Sequence, residues 1–332
     1  MSLGKNLDAA AARSPPDAAT SRKRSRLQRA LTIAGGIFVG LVIIELSLWA
    51  LGFLFLGTST RGAGTGRTIL CVGDSWTHGL GSVSYGEALE QKLNARFGGA
   101  SFRVVRSGIP GSNSSQGLRR VGRLTEEYRP DLMIVLLGNN DHQNLAASEY
   151  WKFEGARAGP ARVWAARGRV ALHSLRLYKL VRNARLHLAG RPTLDRFFVA
   201  EGSEGLIVRP KSTVVDLQTH RRQLQYNLTR IIDIARANDI DVLFMTYFNF
   251  HGYKVNEVIL DVASAHGIPV VNNTVYYQSQ IPIDERAAYY AGAHPTTKGH
   301  AFIADKIIEV LEEIDSDLLK SSTRSTRDVY PV

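Results

Sequence analysis

The chain has 332 residues, a net charge of +11 at pH 7, and 44% hydrophobic against 21% charged residues. This composition supports a substantial hydrophobic core and excludes a largely disordered chain. The positive charge is concentrated in two segments, because residues 1–29 carry a net +5 and residues 145–215 a net +8. A charge confined to a tail and one segment argues against a broad nucleic-acid-binding surface, and we expect no nucleic-acid partner.

Metal and cofactor motifs are not evident. Cys71 is the only cysteine in the sequence, which excludes an intramolecular disulfide and a cysteine-based zinc site. The spacing of His, Asp and Glu residues resembles no metal site. We therefore predict neither a metal nor a cofactor.

The N-terminal 57 residues predict a membrane anchor. A basic tail at 1–29 precedes a span at 30–57, in which Glu45 is the only charged residue after Leu31. As a helix, the 27 residues from Leu31 to Gly57 would extend about 40 Å, enough to cross a hydrocarbon core of about 30 Å. A buried core helix and a cleaved signal peptide are the alternatives, but the apolar part of a signal peptide is only about 7–15 residues long.

The direction of the anchor follows from its flanking charge. Basic residues cluster at 21–26, before the span, and this distribution favours a cytoplasmic N-terminus. We predict a single-pass protein of the cell inner membrane with its domain in the periplasm. Gly36, Gly40 and Glu45 suggest contact with a partner membrane helix, although all three are also tolerated in a long anchor.

Beyond a linker at 58–67, strands and helices alternate through a predicted domain at 68–316, followed by a C-terminal tail at 317–332. Mainly apolar runs of three to six residues predict buried strands, and amphipathic segments between them predict helices. This alternation indicates an α/β fold, a three-layer αβα sandwich with a parallel, flavodoxin-like sheet. The strands are predicted at 68–72, 102–105, 132–137, 240–245 and 269–271, and the helices at 84–97, 115–128, 216–237, 255–265 and 298–314.

Four polar positions follow predicted strands or precede the last helix, where a parallel sheet collects functional groups. Ser75 follows the first strand and is a candidate nucleophile, with His294 as its base. The backbone N–H groups of Ser75 and Gly111 and the side-chain amide of Asn140 are candidate donors to an oxyanion.

These positions lie in four blocks that resemble, in order, those of the SGNH hydrolases, the GDSL-type lipase/acylhydrolase family. The resemblance covers about residues 68–315 and suggests a membrane-anchored bacterial member. It implies a serine acyl-ester hydrolase or O-acyltransferase that acts on O-acetyl groups of a carbohydrate through a Ser75 acyl-enzyme. The blocks are Gly73-Asp74-Ser75-Trp76-Thr77, residues 107–117, Gly138-Asn139-Asn140-Asp141, and His294-Pro295 with Gly299-His300.

The sequence departs from the family at one position. Members commonly carry Asp three residues before the histidine, and here that residue is Ala291. Three alternatives follow: a Ser–His dyad oriented by a backbone carbonyl, an orienting acid supplied by Asp284 or Glu285, or a weakly active or inactive subunit that binds or assembles glycans.

Residues 145–215 form a basic insertion, predicted to be helical, between the third strand and the next helix. Residues 170–188 have the periodicity of one amphipathic helix, with a basic stripe at Arg176, Lys179, Arg182 and Arg185. The insertion is either a cap over the cleft, facing anionic lipid or an acidic glycan, or a solvated helix face without a ligand.

Overall fold

The structure is a computed structural model, in which the chain divides into two units, residues 1–57 and 58–332. The described residues are 18–56, 66–80, 82–97, 101–142, 144–153, 159–188, 197–202, 205–210, 217–248, 250–251, 254–291, 294–314 and 317–320.

The described residues of the first unit form one long helix, α1 (Ala18–Leu56). Its segment Gln28–Leu51 has a mean hydropathy of 2.2, is not buried, and is long and apolar enough to span a membrane. The helix begins 12 residues before the predicted span at 30, because Ala, Arg, Lys, Leu and Gln are good helix formers. Residues 1–17 of the tail and residues 57–65, which include most of the predicted linker, lie outside the described residues.

The second unit contains all the strands that the structure describes, together with eleven of the described helices. Short 3₁₀ turns occur at Tyr150–Lys152 and Ile283–Glu285. The strands are β1 (Arg67–Gly73), β2 (Phe102–Gly108), β3 (Leu132–Leu136), β4 (Phe197–Gly202), β5 (Gly205–Pro210), β6 (Asp241–Met245), β7 (Phe250–His251), β8 (Val270–Val271), β9 (Tyr290–Ala291) and β10 (His294–Pro295). The helices are α2 (Ser75–His78), α3 (Tyr85–Phe97), α4 (Ser114–Tyr128), α5 (Pro160–Ser174), α6 (Arg176–Leu188), α7 (Leu217–Arg236), α8 (Val255–His266), α9 (Asn273–Gln280), α10 (Arg286–Tyr289), α11 (Thr297–Glu313) and α12 (Asp317–Lys320).

The main sheet is parallel and has five strands in the order β2-β1-β3-β6-β8. This is the flavodoxin-like order, and it confirms the fold class predicted from the sequence. The strands are continuous apolar runs because both faces of the sheet are covered; in β1 and β3, Ile69, Leu70, Met133 and Ile134 have no solvent exposure. The order reverses between β1 and β3, so the loops after these strands open a crevice at their carboxyl ends.

Helices cover the sheet on both faces. Helices α3 and α11 pack together on one face, where Lys92 and Asp305 form an ion pair at 2.5 Å. Helices α4, α7 and α8 pack in sequence on the other face. There, the side-chain amide of Asn227 on α7 donates to Ser114 Oγ on α4 at 2.7 Å. The three layers predicted from the alternating elements are therefore present.

The basic insertion differs from the prediction in two respects. The single helix predicted over 170–188 is wrong: Leu175 is extended (φ −69°, ψ 130°) and separates α5 from α6. The last turn of α5 closes locally, since the Ser174 hydroxyl donates to the carbonyl of Val170 at 2.8 Å. The insertion is also not wholly helical, because β4 and β5 form an antiparallel hairpin in a stretch rich in β-branched and aromatic residues.

Candidate active site

Ser75 lies at the carboxyl end of β1, as the first residue of the short helix α2. Asp74 caps this helix, because its carboxylate accepts a hydrogen bond from the backbone N–H of Trp76 at 3.0 Å. Gly73 is required at the turn, since a Cβ there would lie 1.8 Å from Thr77 Oγ1 and 2.9 Å from the carbonyl oxygen of Leu136. The sequence Gly-Asp-Ser thus builds a tight strand-to-helix turn that presents the Ser75 side chain at the edge of the sheet.

His294 reaches Ser75 from a distant part of the chain. Its Nε2 lies 2.9 Å from Ser75 Oγ, although the two residues are 219 positions apart. His294 is carried by the two-stranded antiparallel sheet β9–β10 immediately before α11. Thr296 fixes this junction, because its N–H donates to the Tyr289 carbonyl at 3.0 Å and its hydroxyl accepts from the Gly299 N–H at 3.2 Å. The structure therefore brings the predicted nucleophile and the predicted base together.

An aromatic cluster packs α2 against the sheet β9–β10. The ring of Trp76, which is buried, lies 5.1 Å from Tyr247, 5.2 Å from Phe248 and 5.7 Å from Tyr290, measured between ring centroids. The contacts with Tyr247 and Phe248 are edge-to-face, one of the two geometries that aromatic pairs prefer. Because Trp76 follows Ser75 and Tyr290 lies on the strand that pairs with His294, this cluster helps to fix the distance between the two.

The predicted oxyanion donors lie on three different loops. Gly111 lies between β2 and α4 with φ 71°, a left-handed conformation that favours glycine. Asn140 follows β3, and its Nδ2 donates to Asp74 Oδ2 at 3.1 Å and to the Ser112 carbonyl at 3.2 Å. An amide nitrogen carries two protons, so an oxyanion would share these with Asp74 and Ser112. Asn140 therefore joins the loops after β1, β2 and β3.

Asp74 is a buried carboxylate whose role the sequence did not reveal. Besides the N–H of Trp76, it accepts from Asn140 and from the Tyr247 hydroxyl, the latter at 2.9 Å. Burial raises the pKa of Asp74 to about 6, even though the hydrogen bonds from Trp76 and Tyr247 oppose that rise. Tyr247 follows β6 and carries no sequence motif, so only the tertiary structure places it at the site.

Asp141 anchors the loop after β3 to the start of α4. One carboxylate oxygen accepts from the Ser114 N–H at 2.7 Å, and the other accepts from the Ser114 hydroxyl. Burial raises the pKa of Asp141 to about 7, opposed by the hydrogen bonds from Ser114 and reinforced by the charge of Asp74. The only sequence signal for Asp141 is its position in the Gly-x-Asn-Asp block.

Of the other histidines near the site, His300 is buried in the first turns of α11. Its Nδ1 accepts from the backbone N–H of Tyr85 at 3.2 Å. Burial, and then the neighbouring His294, lower the pKa of His300 to about 4. It therefore stays neutral at pH 7 and adds no positive charge beside the predicted base. His78 lies at the exposed end of α2.

The candidate orienting acids occupy an exposed turn. The Glu285 carboxylate lies 3.5 Å from Lys298 Nζ, and Asp284 is exposed on the same 3₁₀ turn. Ala291 is the cross-strand neighbour of His294 in the β9–β10 pair and is exposed. The structure thus places the residue that departs from the family pattern directly opposite the predicted base. The role of Asp284 or Glu285 stays a prediction.

A cavity of about 300 Å³ lies beside the predicted oxyanion donors. Gly111 and Asn140 line it on one side, and Lys179 and Arg182 of α6 line it on another. The basic stripe predicted in the insertion therefore contributes two of its four residues to the wall of this cavity. Ser112 and Asn144 from the loops after β2 and β3, Gln116 from the first turn of α4 and His173 from the end of α5 also line it.

Comparison with known proteins assigns the family. The sequence model of the GDSL-like Lipase/Acylhydrolase family matches residues 71–302, which is more than two thirds of the chain. That region contains all four blocks, from the turn at Ser75 to the start of α11. The chain belongs to the GDSL-like Lipase/Acylhydrolase family, as the motifs predicted.

Individual relatives match over shorter regions. The chain is 37% identical over 93 residues to thioesterase 1/protease 1/lysophospholipase L1 of Escherichia coli, covering 28% of this chain and 44% of the relative. It is 34% identical over 105 residues to esterase TesA of Pseudomonas aeruginosa, covering 27% of this chain and 51% of the relative. The match thus spans about half the length of these curated relatives. A solved structure of the psychrotrophic esterase EstA from Pseudoalteromonas sp. superposes on 76% of this chain and all of its own, at 16% identity and a TM-score of 0.44.

Proposed function

We propose that this protein is a serine acyl-ester hydrolase or O-acyltransferase that works through an acyl-enzyme on Ser75. The observation that carries the proposal is the 2.9 Å contact between Ser75 Oγ and His294 Nε2 at the carboxyl edge of the sheet. Membership of the GDSL-like Lipase/Acylhydrolase family supports it, because the nucleophile and the base lie in matched blocks.

The geometry supports a conventional order of steps. With its proton on Nδ1, His294 takes the Ser75 hydroxyl proton on Nε2 as Oγ attacks the ester carbonyl. The oxyanion of the tetrahedral intermediate accepts from the N–H groups of Ser75 and Gly111 and from the amide of Asn140. The N–H of Ser75 suits this role, since the first N–H groups of a helix have no partner within the helix. His294 then protonates the leaving alcohol, and water or a sugar hydroxyl resolves the acyl-enzyme.

We infer that the substrate is an O-acetyl ester of a carbohydrate. The support is the polar wall of the cavity beside the oxyanion donors, to which Gln116, Asn140 and Asn144 contribute side-chain amides that also make hydrogen bonds within the protein. Side-chain amides both donate and accept hydrogen bonds, which is the requirement for binding sugar hydroxyls.

The proposed location is the periplasmic side of the cell inner membrane, with α1 as a single-pass signal anchor. The apolar segment Gln28–Leu51 supports anchoring, and the basic residues before it support a cytoplasmic N-terminus. Gly36, Gly40 and Glu45 on this helix remain the proposed contact with a partner membrane helix.

A second candidate function is a glycan-binding or assembly subunit with little or no catalysis. Ala291 favours it, because the strand position opposite His294 carries no carboxylate. Loss of the orienting aspartate lowered the rate of a serine protease by about 10⁴. A chain that had given up turnover would therefore be expected to differ from its family at this position.

The deciding experiment uses the full chain in a mild detergent. We expect hydrolysis of 4-nitrophenyl acetate and release of acetate from O-acetylated oligosaccharides, with both activities abolished in Ser75→Ala. Ser264→Ala, an exposed serine on α8, is the matched control and should retain full activity. If Ser75→Ala equals the wild type, or if the wild type binds oligosaccharides without any turnover, the catalytic proposal is wrong and the binding subunit is favoured.

A further inference from the structure

Tyr247 lies beside the candidate site and is fixed there by its own backbone. It follows β6, and its ring is fully buried. Its N–H donates to Asn256 Oδ1 at 2.9 Å, and its carbonyl accepts from Asn256 Nδ2 at 3.0 Å and from the Thr274 hydroxyl at 2.5 Å. These bonds tie Tyr247 to α8 and α9, so that the position of its side chain is well defined.

The hydroxyl of Tyr247 connects two loops of the site. It donates to Asp74 Oδ2 at 2.9 Å, in the turn that presents Ser75. Its oxygen accepts from the backbone N–H of Asn139, in the loop after β3. Burial, and then the charge of Asp74, raise the pKa of Tyr247 well above its usual value. The hydroxyl therefore keeps its proton at pH 7 and acts as the donor to the carboxylate.

Both of these bonds lead to Asn140. The carboxylate oxygen that accepts from Tyr247, Asp74 Oδ2, also accepts from Asn140 Nδ2 at 3.1 Å. Asn139 directly precedes Asn140 in the chain, so the bond to its N–H restrains the backbone of the same loop. Tyr247 thus constrains the side-chain amide of Asn140 through Asp74 and the backbone of Asn140 through Asn139.

The position of the Asn140 amide matters for the proposed chemistry. An oxyanion donor works when it already lies about 2.7–3.1 Å from the place where charge develops, and removing one donor costs about 10²–10³ in kcat. A displacement of about 1 Å caused from outside the reacting atoms can cost about 10²-fold. Because the charge develops only in the transition state, a residue that sets this amide should affect kcat more than KM.

We propose that Tyr247 is a positioning residue of the oxyanion hole, which sets the Asn140 amide by holding Asp74 and Asn139 in place. This inference rests on the proposed function and adds a residue that lies outside the four family blocks. It gives a reason for a hydroxyl at this buried position. A phenylalanine would fill nearly the same space but would take this partner away from both Asp74 and Asn139.

The competing explanation is that the hydroxyl of Tyr247 only stabilises the fold. A hydrogen bond to a buried carboxylate contributes to stability wherever it occurs, and the ring of Tyr247 also packs edge-to-face on Trp76. The two explanations differ in the kinetics. A purely stabilising hydroxyl changes the folded fraction of the protein but not the rate per folded molecule.

The test removes only the hydroxyl, in the detergent-solubilised full chain. Tyr247→Phe keeps the ring, and Tyr277→Phe is the matched control. The Tyr277 ring stacks on Phe248 at 4.6 Å, next to the same aromatic cluster, but its hydroxyl donates to the Arg286 carbonyl at 3.2 Å. We measure kcat and KM for 4-nitrophenyl acetate in both variants, each alone and combined with Asn140→Ala. Urea unfolding gives the folded fraction.

We expect Tyr247→Phe to lower kcat per folded molecule by about tenfold or more and to change KM by less than about twofold. In the Asn140→Ala background the same substitution should have no further effect on kcat, since the donor that Tyr247 positions is gone. Tyr277→Phe should retain the wild-type kinetics. If Tyr247→Phe is partly unfolded in buffer, all variants are compared in trimethylamine N-oxide, which favours the folded state.

An unchanged kcat in Tyr247→Phe would overturn the proposal, as would an equal fold-loss with and without the Asn140 side chain. A second measurement does not depend on turnover. In protein labelled selectively with 15N-asparagine, Asn140→Ala identifies the side-chain amide signals of Asn140. Tyr247→Phe should shift these signals and the backbone N–H signal of Asn139, whereas Tyr277→Phe should leave them in place.

Failure of the proposed function is distinguishable from failure of this inference. If the wild type hydrolyses no ester, the proposed function is wrong, and the asparagine signals still show whether Tyr247 sets the Asn140 amide. If the wild type is active and the signals of Asn139 and Asn140 do not respond to Tyr247→Phe, the positioning role is wrong and the proposed function stands.

Discussion

Asn140 combines two tasks in one side chain, since its amide donates to Asp74 and Ser112 within the protein and is a predicted donor to the oxyanion. We expect Asn140→Ala to lower kcat for 4-nitrophenyl acetate by about 10²–10³, the effect of removing one oxyanion donor. The contact with buried Asp74 adds an expected loss of about 1–2 kcal/mol in the free energy of unfolding.

Steady-state kinetics and urea unfolding of the same protein separate the two effects. Asn238→Ala removes an exposed amide that bonds only to the carbonyl of Ile234 at 2.7 Å, and it should change neither quantity by a comparable amount. An unchanged rate per folded molecule in Asn140→Ala would identify Asn140 as a structural residue only.

Ala291 marks the position where a carboxylate would reach the predicted base. It pairs with His294 across β9–β10, and directly opposed residues in an antiparallel pair have Cβ atoms about 4.5–5.5 Å apart on the same face. If no other acid orients the imidazole, we expect Ala291→Asp to raise esterase turnover about tenfold, because the carboxylate fixes the tautomer that Nε2 needs.

The competing explanation has its own variants. If Asp284 or Glu285 already orients His294, Ala291→Asp should add little, and Asp284→Asn or Glu285→Gln should lower turnover instead. Esterase assays on the three single variants distinguish these outcomes.

The buried carboxylates Asp74 and Asp141 predict an unusual dependence of stability on pH. Their folded pKa values, about 6 and about 7, exceed the unfolded value of about 3.9. Between about pH 4 and pH 7 the folded state therefore binds more protons than the unfolded state does. The stability that the two carboxyl groups contribute is fully present below about pH 4 and is lost as the pH rises through 6–7. Most carboxylates in proteins act in the opposite direction.

The change Asp141→Asn removes one of these groups. Relative to the wild type, we expect its free energy of unfolding to improve by a few kcal/mol between pH 4.5 and pH 7.5, measured by urea unfolding followed by fluorescence. Asp233→Asn, an exposed carboxylate paired with Arg230, is the control. A difference between Asp141→Asn and wild type that is independent of pH would contradict the raised pKa.

The turn between β1 and α2 depends on the absence of a side chain at Gly73. A Cβ at Gly73 would lie within 3 Å of both Thr77 on α2 and the backbone of Leu136 on β3. The backbone of β1 or of β3 would therefore have to move to make room for it. We expect Gly73→Ala to destabilise the domain by several kcal/mol or to abolish folding, measured as the midpoint of urea unfolding.

Gly122 provides the matched comparison. It lies within α4, and a Cβ there would have nothing within 4 Å. Gly122→Ala should therefore stabilise the protein by about 0.5–1 kcal/mol, since alanine favours the helix. Equal effects of the two substitutions would show that the turn tolerates a side chain.

Strands and helices in which the hydrophobic residues recur with a single period were predicted correctly, whereas the structure of the insertion was not. The hydrophobic pattern of the sequence matches the observed burial in the strands β1, β2, β3 and β6. It does so as well in the helices α3, α4 and α8. The break at Leu175 has no proline or glycine to signal it, and the period of the sequence continues through it. The hairpin β4–β5 lies within a basic stretch that the sequence analysis interpreted as helical, because the preference of a residue for a strand depends strongly on its context and is a weak signal in a single sequence.

The proposed anchor predicts a membrane topology in which the N-terminus is cytoplasmic and the second unit is periplasmic. A protease added outside spheroplasts that express the protein should digest residues 58–332 and leave a short protected N-terminal fragment, detected with an N-terminal tag. Protection of the entire chain would contradict the proposed orientation, and release of the domain as a soluble protein without proteolysis would contradict the anchor.

The sequence by itself indicated the family and the order of the strands and helices in the second unit. It also indicated the candidate site residues Ser75, Gly111, Asn140 and His294. It could do so because buried parallel strands and strand-end motifs are local patterns that a single sequence displays. Tertiary structure alone decided which groups meet: Tyr247 with Asp74, Ala291 opposite His294, and the cations of α6 beside the oxyanion donors. The first and the last of these contacts join residues far apart in the chain and depend on packing, which no local spacing of residues encodes. Ala291 and His294 are close in sequence, but only the pairing of β9 with β10 places them opposite each other.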